Sequence, residues 1–196
     1  MNLLVTSDKL GSSGASVTNK EFEFLKETGE THFLNPEPQL DPFETDRIAL
    51  QMYLKKGVKY KVAHFYAGCY SELIKELKKD GTKITYTAAA HDINLSISEF
   101  KRLGIPFDFN HLTDPVLFKQ YLQGYLEADC VICPSKISKE TMEGYGCKNV
   151  CIIPHGCEKP SHINKLPAKF TVGYLGQIGP DKGITYLLEA WSDLNY

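Results

Sequence analysis

Apolar and polar positions along this chain change period repeatedly, and each change marks an element. Asn2–Ser7 is a short apolar run that reads as a strand, and a helix follows from about Ser16 to Glu27. Thr31–Leu34 is a second strand, and Asp41 to Lys55 is helical, with Ile48 and Met52 four residues apart. Tyr60–Ala67 is strand-like. Tyr70, Leu73, Ile74 and Leu77 then recur at i, i+3, i+4 and i+7, the spacing of one helix face, until Asp80-Gly81 stops the helix. Lys83–Ala90 is the next strand, and a loop-rich, helical stretch runs from Asn94 to Asn110. Phe118, Tyr121, Leu122, Tyr125 and Leu126 share a helix face. Cys130–Cys133 is a strand, Lys136–Tyr145 a helix and Asn149–Ile153 a strand.

Alternation of this kind predicts an α/β fold: a Rossmann-like, doubly wound parallel sheet with helices on both faces. In such sheets ligands gather at the carboxyl ends of the strands, which singles out the loops after Ser7, Ala67, Ala90, Ser135 and Pro154. The rhythm breaks between Cys157 and Ala168 in a polar stretch holding two prolines. Phe170–Leu175 then reads as a fresh strand, and Ile184, Leu187, Leu188 and Trp191 as a fresh amphipathic helix. The organisation expected is a domain over 1–160, a linker over 161–168 and the start of a second, truncated domain over 169–196.

Composition narrows the classes. Hydrophobic content of 42%, charged content of 23% and a net charge of −2 fit a globular protein and give no reason to expect a nucleic-acid partner. The first residues lack a basic leader and a long apolar segment, so a cytoplasmic location is expected. Lysine clusters at 55–61 and 75–83 could meet an anionic membrane, against the plainer reading of solvated helix ends, so a peripheral membrane location stays open. Cys130 and Cys133 have the spacing of a zinc half-site, but i and i+3 on a strand point to opposite faces. Structural, reduced cysteines and no metal site are the expectation.

Four stretches can carry chemistry. Gly11-Ser-Ser-Gly14 joins the first strand to the first helix, where small residues let backbone N–H groups approach a phosphate, a merely tight strand-to-helix turn being the alternative for the motif alone. Thr87-Ala-Ala-Ala-His91-Asp92 ends a central strand, with alanines leaving room beside an imidazole and a carboxylate suited to sugar hydroxyls or proton sharing. An aspartate cap beside a core histidine is the alternative there. Pro154-His155-Gly156 makes a corner in which glycine permits a sharp turn. Gly173-Tyr-Leu-Gly176-Gln177-Ile-Gly179-Pro-Asp-Lys182-Gly183 is a glycine-shaped turn carrying a lysine, a compact cation suited to phosphate.

Read in order, these motifs resemble the family-4 retaining glycosyltransferases of the GT-B fold. The most specific passage runs from Ala128-Asp-Cys-Val-Ile-Cys-Pro-Ser135 through Tyr145-Gly146 to Ile152-Ile-Pro-His-Gly156. Val172 to Gly183, with Leu187-Leu-Glu-Ala190 behind it, resembles the first strand, phosphate loop and helix of that family's donor domain. The resemblance implies transfer of a sugar from a nucleotide-diphosphate-sugar to an acceptor (a glycan, lipid or small molecule), with retention and without a metal or other cofactor. By position, Ser13 and Gly14 would approach the donor diphosphate. His91, with Asp92, would meet the transferred sugar or the acceptor, and His155 and Gly156 would line the hinge. Gly176, Gln177 and Lys182 would form the phosphate loop, with Gln177 where the family often has arginine and Ser13 where glycine is more usual. The family's downstream glutamate pair has no counterpart within 1–196, which leads to an expectation of negligible transferase activity from these residues alone. A GT-B sugar-nucleotide epimerase, and a non-catalytic acceptor-binding module or half of a split enzyme, remain alternatives.

Overall fold

A computed structural model describes residues 1–6, 22–37, 41–66, 68–88, 93–108, 110–156, 169–176 and 178–194. Its strands are β1 (Asn2–Val5), β2 (Thr31–Leu34), β3 (Val62–Tyr66), β4 (Lys83–Thr87), β5 (Cys130–Cys133) and β6 (Val150–Ile152). Its helices are α1 (22–27), α2 (Pro42–Lys56), α3 (Ser71–Lys79), α4 (Ile93–Arg102), α5 (Asn110–Thr113), α6 (Pro115–Glu127), α7 (Lys136–Gly144) and α8 (Ile184–Ser192). The described residues divide into two compact units, one of 1–91 with 109–155 and one of 92–108 with 156–196.

In the first unit all six strands are parallel, in the order β2-β1-β3-β4-β5-β6. The α/β expectation holds, because each connection between parallel strands has to return the chain to the same edge, and helices supply that return. Leu3, Val5, Leu34, Ala63, Phe65, Ile84, Tyr86, Val131, Cys133 and Val150 point to one face and form the core under α2, α3, α6 and α7. Tyr70, Leu73, Ile74 and Leu77 are all fully buried there. On α2 the buried apolar residues are Ala49 and Tyr53, so Ile48 and Met52 lie at the margin of the packed face rather than at its centre. The other sheet face carries Leu4, Phe33, His64, Thr85, Thr87, Cys130, Ile132 and Cys151, and α1 lies against it with Phe22 5.4 Å from Phe33.

The helices of the first unit start where their sequences supply an oxygen. Asp41 accepts from the Phe43 backbone N–H, Asp114 from those of Val116 and Leu117, and Ser135 from that of Ser138. The α3 amino end has no cap of its own. The Asp46 carboxylate reaches across from α2 and accepts from the Glu72 and Leu73 backbone N–H groups at 2.7 and 3.1 Å.

The second unit joins α4 to α8. Arg102 donates to Glu189 and Thr185, its guanidinium lies 4.3 Å from the centre of the Tyr186 ring, and the Tyr186 hydroxyl donates to Glu99 at 2.6 Å. The helix expected around Ile184–Trp191 forms, but none of its residues is buried. The strand expected at Phe170–Leu175 does not form. Among the described strands it has no partner, and an unpaired strand leaves its backbone groups without a ladder. Phe170 and Leu175 are correspondingly exposed.

Candidate functional site

The sheet order reverses between β1 and β3, because the chain passes outward to β2 before crossing back. Such a switch point, at the carboxyl ends of the two strands, is where ligands gather in open α/β sheets. The backbone leaving β1 is braced at that point. Thr6 is fully buried, its N–H donates to the Leu34 carbonyl, and its carbonyl accepts from the Asn35 side chain at 2.8 Å. The Gly11–Gly14 loop follows Thr6 in the chain. Ser13 and Gly14 themselves lie outside the described residues, as do His91, Asp92 and Gln177.

The chain reaches the His91-Asp92 pair from the end of β4. Ala88 there is fully buried and donates its N–H to the Ile132 carbonyl at 2.9 Å, which fixes the point from which the pair departs. Next to it, the Tyr86 hydroxyl donates to the Gly68 carbonyl at 2.7 Å, and Gly68 holds φ at +82°. A side chain at Gly68 would stand about 3.0 Å from the Tyr70 ring, so glycine is required there by both conformation and space.

Beyond β6, Ile153 extends the ladder by donating to the Cys133 carbonyl, and Pro154, His155 and Gly156 are exposed. Gly156 does not adopt a left-handed φ, and a Cβ there would meet open space. Gly156 itself therefore does not use the left-handed conformation open to glycine, and the residues that follow it, 157–168, lie outside the described residues. His155 and Gly156 fall on either side of the boundary between the two compact units.

In the second unit, Pro180–Lys182 form a single 3-10 turn, and Gly183 ends it at φ +72°. The same glycine starts α8, whose amino end carries no side-chain cap. Gly176 is at φ +157°, and Lys182 is exposed immediately before the helix. Of the helices whose caps are described, α2, α3, α6 and α7 each have a carboxylate or hydroxyl at the amino end, and α8 has none. Such an end combines free N–H groups with the positive end of the helix dipole, and a neighbouring lysine adds a full charge.

His64 carries a polar centre that no local pattern singles out. It is 7% exposed on the central strand β3, with Nδ1 2.8 Å from the Thr85 hydroxyl and Nε2 3.2 Å from that of Thr87. Only the register of β3 on β4 brings those threonines beside it. Cys130 and Cys133 do lie on opposite sheet faces, as the strand period requires. The Cys130 sulfur instead meets that of Cys151 on β6, at 3.6 Å. Among the described residues no group of three or more histidine, cysteine or acidic side chains could hold a metal ion, and no helix is long and apolar enough to cross a membrane.

No protein-family model matches the chain, and no curated protein does. Among solved structures it is similar to a UDP-glucosyltransferase from Polygonum tinctorium, described as capable of glucosylating indoxyl and as complexed with 3,4-dichloroaniline. The identity is 14% and the TM-score 0.43, over 85% of this chain and 55% of that one. The chain thus spans about half the length of that enzyme, and so slight a likeness carries no argument about function.

Proposed function

We propose that the chain is part of a retaining glycosyltransferase of the family-4, GT-B kind, using a nucleotide-diphosphate-sugar as substrate and acting in the cytoplasm. The observation that carries this reading is the amino end of α8, which has no side-chain cap, begins at a left-handed Gly183 and is preceded by Lys182. That combination suits a diphosphate, whose two groups can take helix N–H donors and a lysine together. The switch point at the end of β1, from which the Ser13-Gly14 loop departs, supports the reading from the first unit.

In this scheme Gly176, Gln177 and Lys182 hold the donor phosphates, and Ser13 and Gly14 approach them. His91 and Asp92 meet the transferred sugar or the acceptor, and His155 and Gly156 serve as the hinge. Catalysis rests on positioning and on stabilising the charge of the departing diphosphate, with no metal needed for that role.

Trp191, the single tryptophan, lies on α8 and can report occupancy of its amino end. Titration with nucleoside diphosphates should change its fluorescence, and Lys182→Ala should weaken the response about tenfold. A diphosphate affinity indifferent to Lys182 would overturn the assignment.

A further inference from the structure

We propose that the amino-terminal edge of the sheet is a docking surface for an anionic lipid membrane. Between Lys55 and Lys83 the sequence holds eight lysines and three acidic residues, a net of +5 in a chain whose total is −2. The fold gathers these lysines at one edge. Lys55 and Lys56 end α2, and Lys78 and Lys79 end α3, with Lys75 one turn earlier. Lys59 and Lys61 lead into β3, Lys83 opens β4, and Lys148 precedes β6. Backbone bonds from Lys61 to Met1 and from Lys83 to Lys61, both 2.9 Å, put the strand entries in one row. All nine side chains are exposed.

Lysines at helix ends complement the helix dipole, and that accounts for Lys55, Lys56, Lys78 and Lys79. It does not account for Lys59, Lys61, Lys83 and Lys148, which lie outside the helices. Nor does local ion pairing neutralise all of the charge. The acids at this edge are Glu27 and Glu30 before β2, Glu76, Asp80, Glu127, Asp129, and Glu143 in the last turn of α7, where it pairs with Lys139. Asp80 is held by Lys59, Glu76 by Lys79 and Asp129 by Lys83, while Glu30 lies beside His32 and Glu127 accepts from Gln123. Lys56 and Lys78 donate only to the carbonyls of Phe33 and Glu127. Lys55, Lys61, Lys75 and Lys148 have no side-chain partner among the described residues.

The makeup of the edge favours lipid over nucleic acid. Every cation is lysine, a point charge that suits a diffuse layer of headgroups, and none is arginine, whose planar fork suits defined phosphates and bases. Tyr53 and Tyr60 at this edge are each 4% exposed and Tyr145 at the end of α7 is half-buried, so none offers an open face for base stacking. Leu54, 56% exposed beside Lys55, supplies an apolar side chain for the interface. Docking through this edge leaves the carboxyl ends of the strands facing water.

The surface is independent of the proposed diphosphate site, so either can fail without the other. The 196-residue chain should co-sediment with vesicles of phosphatidylcholine and phosphatidylglycerol, and not with phosphatidylcholine alone. Salt at about 0.5 M should release it. The triple variant Lys55→Glu, Lys61→Glu, Lys75→Glu should bind such vesicles about tenfold less or weaker still, with an unchanged circular dichroism spectrum. Lys119→Glu, Lys136→Glu, Lys139→Glu makes the same charge change elsewhere in the first unit and should keep binding. Equal loss in both triples, no binding by the unaltered chain, or tighter binding to single-stranded RNA than to vesicles would each overturn the proposal.

Discussion

The Asp46 carboxylate of α2 lies 2.7 Å from the Glu72 backbone nitrogen at the start of α3, and it is 1% exposed. It also accepts from the Leu73 N–H and the Ser71 hydroxyl, so one side chain does for α3 what a capping residue of its own would do. Removing it strands buried donors. Asp46→Ala should cost about 2–3 kcal/mol in urea unfolding, and Asp46→Asn less, because an amide oxygen still accepts. Burial raises the Asp46 carboxyl above its ordinary value, against the pull of the Glu72 and Leu73 N–H bonds. With the folded pKa above the unfolded one, its contribution is complete below the unfolded value and lessens as pH rises through the folded value. Asp46→Asn should therefore remove this fall in stability between the unfolded carboxyl value and the raised folded one, and a profile of unchanged shape there would count against the burial effect.

Glu99 has the opposite sign. The Tyr186 hydroxyl first, and Arg102 second, hold its carboxyl below the ordinary glutamate value. Its contribution is present above the unfolded pKa and is lost as pH falls through the folded one. The attachment of α4 to α8 should therefore loosen below about pH 4.3, on the acid side of the unfolded glutamate value. Trp191 fluorescence should follow the change, and Glu99→Gln should flatten that part of the titration. A persistent transition in Glu99→Gln would place it elsewhere, with Glu189 the next carboxylate on Arg102.

Gly183 holds φ at +72°, and a Cβ there meets nothing, so any cost of substitution is conformational rather than steric. Gly183→Ala should destabilise the start of α8 by about 1–2 kcal/mol. Hydrogen exchange should show faster exchange across Ile184–Ser192 and no change in β3 or β4.

The cysteines should behave as packed thiols. Burial first, and the Asp46 charge second, push Cys69 up to about 12, and burial pushes Cys130 and Cys147 up to about 11. In a Cys151→Ser, Cys157→Ser background at pH 8, Ellman's reagent should react with the native protein at least about tenfold more slowly than with the unfolded chain. Fast native reaction at Cys130 would point to a reactive thiol at the β5–β6 edge.

The periods of the chain made the first unit legible. Strands over Thr31–Leu34 and Cys130–Cys133 fall where the pattern put them, because buried parallel strands need short apolar runs between turn residues. Helices α3 and α6 follow for the same kind of reason, with Leu73, Ile74, Leu77, Leu122 and Tyr125 at helical spacing and buried. Phe170–Leu175 shows where such reading stops. Its residues favour a strand, but a strand is made by hydrogen bonds to a neighbour, and among the described residues it has none.

The candidate site was legible only in part. Lys182 and Gly183 stood out in sequence as a glycine-shaped turn carrying a lysine, and the structure puts them directly before α8. The sequence could not reveal that Asp46 fills the corresponding end of α3, because those partners are 26 and 27 positions away. Local periodicity and capping chemistry are properties of neighbours along the chain, so the sequence by itself determined the strands and helices of the first unit, their order and the parallel class of the sheet. The switch point between β1 and β3, the threonines around His64, the Cys130–Cys151 contact and the row of lysines along one edge depend on register and crossover direction. Those were decided by tertiary packing, which sets residues far apart in the chain a few ångströms from one another.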